Sequence, residues 1–215
     1  MATIVLDENT ESIQYLCSRD KRLAKVISMV GPIEYCPHTE NPYAFLVHEI
    51  IEQMLSVKAG TVIYGRLSAL CNDSVTPQAI DALTIEEIKS IGTSATKAAS
   101  IKDMTSKIIS GELDLSSFSA LSDDAVIKQL LSLRGIGLWT AKMYLIFVLN
   151  RPDVLPYEDV AFLQAYGWMY KTDDRSKETV QKKCSKWKPY SSIAARFLYR
   201  ALDTGLTKEA FHLRK

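Results

Sequence analysis

The sequence predicts an all-α protein, and three observations carry that prediction. Apolar residues recur at spacings of three and four through most of the chain, as in residues 11–30, where Ile13, Leu16, Leu23, Val26, Ile27 and Val30 line up. Helix-start signatures stand ahead of such runs, among them Thr84 followed by Glu87 and the Ser122-Asp123-Asp124 cap. No alternating stretch of useful length marks a strand. The 215 residues suffice for one well-buried core or for two small lobes.

In chain order, residues 11–30 imply one or two amphipathic helices, stopped by Gly31-Pro32. The segment GPIEYCPHTENPY that follows is rich in proline and turn formers and reads as a loop and lobe boundary. Residues 44–70 read as two helices meeting at a turn within 56–60, where a β-branched residue and a glycine interrupt the pattern. Residues 84–91 form a short capped helix, and 93–109 another, entered through Ile91-Gly92. Two apolar helical segments then meet at Gly135-Ile136-Gly137, a link that fits only a tight hairpin. Beyond Pro156 come a helix over about 159–168, a polar one over about 175–184 and a last one from near Pro189. In the last, Ile193, Phe197 and Ala201 make one apolar stripe and Ala194, Leu198 and Leu202 its neighbour.

With 47% hydrophobic and 24% charged residues, the composition is that of an ordinary soluble globular protein. The 26 Lys+Arg against 25 Asp+Glu leave a net charge of +1, so any nucleic-acid site must be local. One basic run, Lys182, Lys183, Lys186, Lys188, Arg196 and Arg200, contains no acid and reads either as a solvated face or as such a patch. Cys17, Cys36, Cys71 and Cys184 fit no metal spacing and read as free thiols in a reducing compartment. The N-terminus carries no secretory pattern and no apolar run reaches membrane-spanning length, so the expectation is an intracellular protein, nuclear if eukaryotic.

Glycine at 135 and 137 lets the backbone take positive φ and lets a phosphate approach without a Cβ in the way. The helix that starts at once beyond them offers unpaired N–H groups and the positive end of its dipole, and Thr140 could add a hydroxyl. The plainer alternative is an αα-hairpin with a glycine turn. Further on, Leu155-Pro156-Tyr157-Glu158-Asp159 places a carboxylate pair ahead of a helix. A carboxylate beside a sugar can stabilise an oxocarbenium-like state and orient water. An Asp in that place is also the usual helix N-cap, and the two roles are compatible.

The stretch Leu133-Arg134-Gly135-Ile136-Gly137-Leu138-Trp139-Thr140-Ala141 resembles the hairpin of the alkylpurine, or 3-methyladenine, DNA glycosylases of the helix-hairpin-helix superfamily. Ile50-Ile51-Glu52-Gln53-Met54-Leu55-Ser56-Val57-Lys58-Ala59 and Trp187-Lys188-Pro189-Tyr190-Ser191-Ser192-Ile193-Ala194 resemble two further segments of that family, and together the matches span roughly residues 42–202. The resemblance implies two helical lobes with a catalytic cleft between them. One would comprise 41–152, with the helix-hairpin-helix at about 121–149, and the other 1–40 with 153–215. It also implies a monomer that acts on duplex DNA, releasing 3-methyladenine and 7-methylguanine.

By the same resemblance Asp159 is the catalytic carboxylate, with Glu158 its neighbour, and Trp139 and Tyr199 wall the base pocket. DNA contacts fall to Gly135, Gly137, Leu138 and Thr140, and to a second hairpin through Gly92, Ser94 and Lys97. Met54 or Ser56 would plug the gap left by the extruded base. Backbone carbonyls of Leu131, Leu133 and Ile136 would hold Na+ or K+, and no organic cofactor is implied. Members that also cut the backbone carry lysine where this chain has Trp139, and Lys142 lies about 300° round the helix from it, so the implied activity is monofunctional. The chain departs from the family's pattern at Glu52, Met54, Ala95-Thr96, Leu138 and Ser191. These changes frame an alternative, a catalytically weak or inactive protein that binds abasic or damaged DNA. A third reading, an interaction module without a DNA role, predicts binding indifferent to salt.

Overall fold

The computed structural model describes residues 3–213. Its elements, in order, are β1 (Ile4–Leu6), α1 (Glu11–Arg19), α2 (Lys21–Val30), β2 (Ile33–Tyr35), α3 (Pro42–Glu52), α4 (Val57–Leu70), α5 (Pro77–Asp81) and α6 (Ile85–Ser90). There follow α7 (Ala95–Ile109), α8 (Asp123–Leu131), α9 (Leu138–Phe147), α10 (Val160–Tyr170), α11 (Lys177–Cys184) and α12 (Ser191–Asp203), with short 3-10 turns between some of them. The fold is all-α. A small sheet among the described residues, β1 antiparallel to β2 with Leu6 opposite Ile33, corrects the reading of residues 31–43 as loop throughout. Strands of three residues are too short to display alternation, and only the buried Leu6 and Ile33 betray them.

Two compact units are present, one of Met1–Pro37 with Asn150–Lys215 and one of His38–Leu149. In the first, α12 packs on α2 and α10. Leu16, Leu23, Val26, Phe162, Trp187, Ala194 and Leu198 are buried there without residual exposure. Asp20 splits the periodic run of residues 11–30 into two helices by capping α2 through the Arg22 and Leu23 amides. The same carboxylate accepts hydrogen bonds from Tyr170 Oη and, at 2.9 Å, from Trp187 Nε1, and pairs with Lys186 at 3.1 Å. Burial alone would raise its pKa, but these partners outweigh burial and hold it below the ordinary 3.8. Its contribution to stability is therefore complete above that ordinary value and is lost as pH falls through the lowered one. Asp20→Ala strips partners from two buried donors and a helix start together. The expected loss is about 3–5 kcal/mol, read as the shift in urea unfolding midpoint.

In the second unit α3 packs against α4, α7 and α9, and Tyr144 of α9 meets Phe118 edge-on at 5.8 Å between ring centroids. The break between α3 and α4 falls at residues 53–56, earlier than the glycine suggested. Ser56 is the N-cap of α4, and Gly60 lies inside that helix. A Cβ at 60 would stand 2.6 Å from Glu52 Cγ, so any larger residue there would oblige the Glu52 side chain to move. Helix α5 was not anticipated, since five residues opened by Thr76 and Pro77 are too few for periodicity. The four cysteines are free, and among the described residues no helix is long and apolar enough to cross a membrane.

Candidate functional site

Most of the candidate residues fall in the unit His38–Leu149. Helix α8, capped by Ser122, ends at Leu131, and α9 begins at Leu138 with Gly137 as its N-cap and no side chain capping its first amides. Those amides and the helix dipole form a positive end that needs no basic residue. The two glycines differ in what they do. Gly135 has φ +83, whereas Gly137 lies at φ −103, so the expectation of positive φ at both holds only for the first. At Gly137 a Cβ would meet nothing within 4 Å, so the missing side chain leaves open surface beside the uncapped amides.

Gln53 Nε2 donates to the Gly135 carbonyl at 2.8 Å and lies 3.5 Å from Thr140 Oγ1. Thr140, read as adding a hydroxyl donor at the hairpin, is 1% exposed and packs beside the turn after α3. That turn holds Met54 at φ +61 with its side chain fully exposed, beside Leu55 and Val57, which are exposed as well. A methionine in the left-handed region costs about 1–3 kcal/mol. Lys97 offsets this by donating to the Ile51 carbonyl at 2.8 Å and the Gln53 carbonyl at 2.6 Å. Burial lowers the Lys97 pKa, and its ammonium braces the turn where a direct DNA contact was expected. Ser56 Oγ accepts from the Ala59 amide, so of the two residues read as a plug Met54 is the one whose side chain projects.

The second hairpin has Gly92 at φ +104 and Ser94 capping α7 through the Lys97 amide. Ala95 and Thr96 carry no charge, yet Arg66 of α4 donates to the Ile91 carbonyl at 3.0 Å, its Nη1 3.3 Å from where a Gly92 Cβ would lie. Arg66 is exposed and supplies positive charge at this turn. Sequence reasoning missed it because 25 residues separate it from its partner. Trp139 is partly buried in the first turn of α9, and Lys142 is buried further along the same helix.

Asp159 and Tyr199 lie in the other unit. The Asp159 amide donates to the Pro156 carbonyl in a tight turn, and its Oδ1 accepts from the Phe162 amide at 2.6 Å as the N-cap of α10. The residue is 7% exposed. The Ser191-Ser192 pair at the start of α12 fastens the segment leading to this turn. Ser191 Oγ donates to Asp153 at 2.5 Å, Ser192 Oγ accepts from the Val154 amide at 2.8 Å, and the Ser192 amide donates to the Pro152 carbonyl. Position 191, one of the departures from the pattern, is thus buried and structural. Tyr199 is partly buried two turns further along α12. The basic run does not form one patch. Arg196 lies buried 3.8 Å over the Tyr35 ring, Lys183 sits over Tyr170, and Lys186 serves Asp20.

A sequence profile described as HhH-GPD superfamily base excision DNA repair protein matches residues 47–189. DNA-3-methyladenine glycosylase 1 of Schizosaccharomyces pombe is 29% identical over 199 residues, covering 89% of this chain and 86% of that protein. The alkylbase DNA glycosidase-like protein mag2 of the same organism is 28% identical over 87% of this chain and 91% of its own. Among solved structures, DNA-3-methyladenine glycosidase from Bacillus halodurans superposes with a TM-score of 0.83 at 28% identity, covering 98% of this chain and 97% of that one. The Schizosaccharomyces pombe 3-methyladenine DNA glycosylase Mag1 in complex with abasic DNA gives the same TM-score and identity over 90% and 97%.

Proposed function

The chain belongs to the HhH-GPD superfamily of base excision DNA repair proteins, and we propose that it hydrolyses the N-glycosidic bond of alkylated purines, 3-methyladenine and 7-methylguanine, in duplex DNA. The observation that carries this reading is the Met54 turn. A fully exposed apolar side chain, held in a left-handed turn, is tied by Gln53 to one glycine hairpin and by Lys97 to the start of the helix beyond the other. Two phosphate-holding hairpins joined through an apolar wedge suit a protein that grips a duplex and fills the gap behind an extruded base. The relatives named as 3-methyladenine glycosylases support the same substrate class.

In this reading the α9 N-terminus at Gly137, with Leu138 beside it, takes a phosphate of the damaged strand, and the Gly92–Ser94 turn with Arg66 takes one of the other strand. Met54, rather than Ser56, enters the stack. Trp139 and Tyr199 are each the aromatic candidate of their own unit for a face on which the extruded base stacks. Its positive charge weakens the glycosidic bond, so the leaving base needs no strong acid, and aromatic faces favour an electron-poor ring. The Asp159 carboxylate stabilises the developing oxocarbenium ion and orients the attacking water, whose proton it accepts. The proposal takes the protein to act as a monomer without an organic cofactor.

The same reading assigns a monovalent cation to the end of α8. The Leu133 carbonyl accepts the Ile136 amide at 3.2 Å, and a carbonyl oxygen has a second lone pair for a hard ion. The carbonyls of Leu131, Leu133 and Ile136 would hold Na+ or K+, which would supply positive charge against DNA phosphate.

The deciding experiment is single-turnover release of 3-methyladenine and 7-methylguanine from methylated duplex DNA, with abasic-site binding measured on the same samples. Release supports the glycosylase. Tight, salt-sensitive abasic binding without release would favour damage recognition without catalysis, and binding indifferent to salt would exclude both. Because position 139 carries tryptophan and not an amine, borohydride is expected to trap no covalent complex with the substrate and alkali-free gels to show no strand break.

A further inference from the structure

Glu52 puts an acid beside a turn assigned to DNA, and the proposed function gives it no task. Its surroundings do. Glu52 Oε1 lies 3.4 Å from Nε2 of His48, one helical turn earlier on α3, and His48 Nδ1 lies 3.5 Å from Glu49 Oε1. One ligand atom from each of the three residues falls within 4.8 Å of the others. The place is shaped for these groups. Glu49 is 8% exposed, Tyr64 of α4 meets the imidazole edge-on at 4.8 Å between ring centroids, and Gly60 clears the room that the Glu52 side chain fills. Among the described residues neither carboxylate has an ion-pair partner other than His48. Two carboxylates therefore face one imidazole, and even a protonated ring leaves a net negative charge.

We propose that His48, Glu49 and Glu52 form a site for a first-row divalent cation of the zinc class. His48 Nε2 and Glu52 are the direct ligands, Glu49 accepts the Nδ1–H, and water completes the coordination. Residues four apart on a helix share a face. Ligands about 2.0–2.2 Å from a tetrahedral zinc stand about 3.4 Å apart, which is the observed separation of Nε2 and Oε1. A carboxylate behind the imidazole fixes the tautomer that frees Nε2 for metal, the arrangement that orients histidine ligands generally. Imidazole favours zinc-class ions over magnesium and calcium. Without metal, the contact with Glu49 and the charge of Glu52 outweigh burial and hold the imidazole pKa above its ordinary 6.5. The ion's two charges balance the two carboxylates. The inference is independent of the glycosylase reading.

The test is calorimetric titration of the full chain with Zn2+ at neutral and at mildly acidic pH, with Co2+ absorption as a second readout. One ion per chain should bind, more weakly at lower pH because protons compete for the same imidazole and carboxylates. His48→Gln and Glu52→Gln should each weaken binding at least about tenfold, and Glu49→Gln about tenfold without changing the stoichiometry. Circular dichroism checks that each variant is folded, and the two direct-ligand variants serve as alternatives should one fail. No saturable binding overturns the proposal, as does binding unchanged by both direct-ligand variants. Thiolate charge-transfer bands in the Co2+ spectrum that vanish with Cys36→Ser would assign the metal to cysteine and overturn it equally.

Discussion

Asp159→Asn is expected to slow release of alkylated purine by about 10²–10³-fold, or roughly 3–4 kcal/mol of transition-state stabilisation, while binding to abasic-site DNA stays near wild type. The substitution separates two roles held by one side chain. As the N-cap of α10, Asp159 needs only an oxygen to accept the Phe162 amide, now at 2.6 Å. Asparagine supplies that oxygen and ranks with aspartate as an N-cap. What asparagine lacks is the negative charge, and the oxocarbenium-like state calls for that charge. Asp159→Ala should lose the charge and the cap together, adding about 1 kcal/mol of destabilisation. Single-turnover base release and urea unfolding on the three proteins distinguish the roles. Wild-type release by Asp159→Asn would leave the residue as a cap alone.

Legibility in the sequence followed the range of the interactions. Helices α6, α7 and α8 were readable because caps and periodicity act within a few residues, as in the Thr84–Glu87 box. The tight hairpin at 135–137 was readable for the same reason. Contacts made by residues far apart in sequence were not. Lys97 reaches the Ile51 and Gln53 carbonyls across more than 40 residues, and Arg66 reaches Ile91 across 25. No local pattern marks either lysine or arginine as a brace. The basic run failed in the opposite sense: its charges were visible, but the Tyr35 ring and the Asp20 carboxylate that occupy Arg196 and Lys186 lie more than 140 residues upstream. Glycine posed a subtler problem. Its presence at 60, 135 and 137 was evident, but whether each served φ, a neighbour or open space depended on packing.

That distinction between glycines predicts sharply different outcomes for the same substitution two residues apart. Gly135→Ala places an L-residue at φ +83, which costs about 1–2 kcal/mol. Its Cβ would also stand 2.8 Å from Ser100 Oγ and 3.0 Å from Ser100 Cβ. Ser100 lies on α7 and is 1% exposed, so it has little room to yield. Overpacking of this kind brings the expected total to about 2–4 kcal/mol. The effect should also spread, because the Gly135 carbonyl holds Gln53 and, through it, the Met54 turn. Gly137→Ala meets neither obstacle, having φ −103 and no atom within 4 Å, so its stability should change by no more than about 1 kcal/mol, the scale of an N-cap substitution. Its methyl group would instead occupy the surface where a phosphate must approach the α9 amides, and losing that hydrogen bonding should weaken DNA binding about tenfold. Adding Ser100→Gly to Gly135→Ala should recover the steric part of the loss and leave the φ cost. Unfolding midpoints and salt-controlled DNA affinities for the four proteins check the partition. Equal stability losses at 135 and 137 would mean that the hairpin's two glycines are interchangeable, contrary to their geometry.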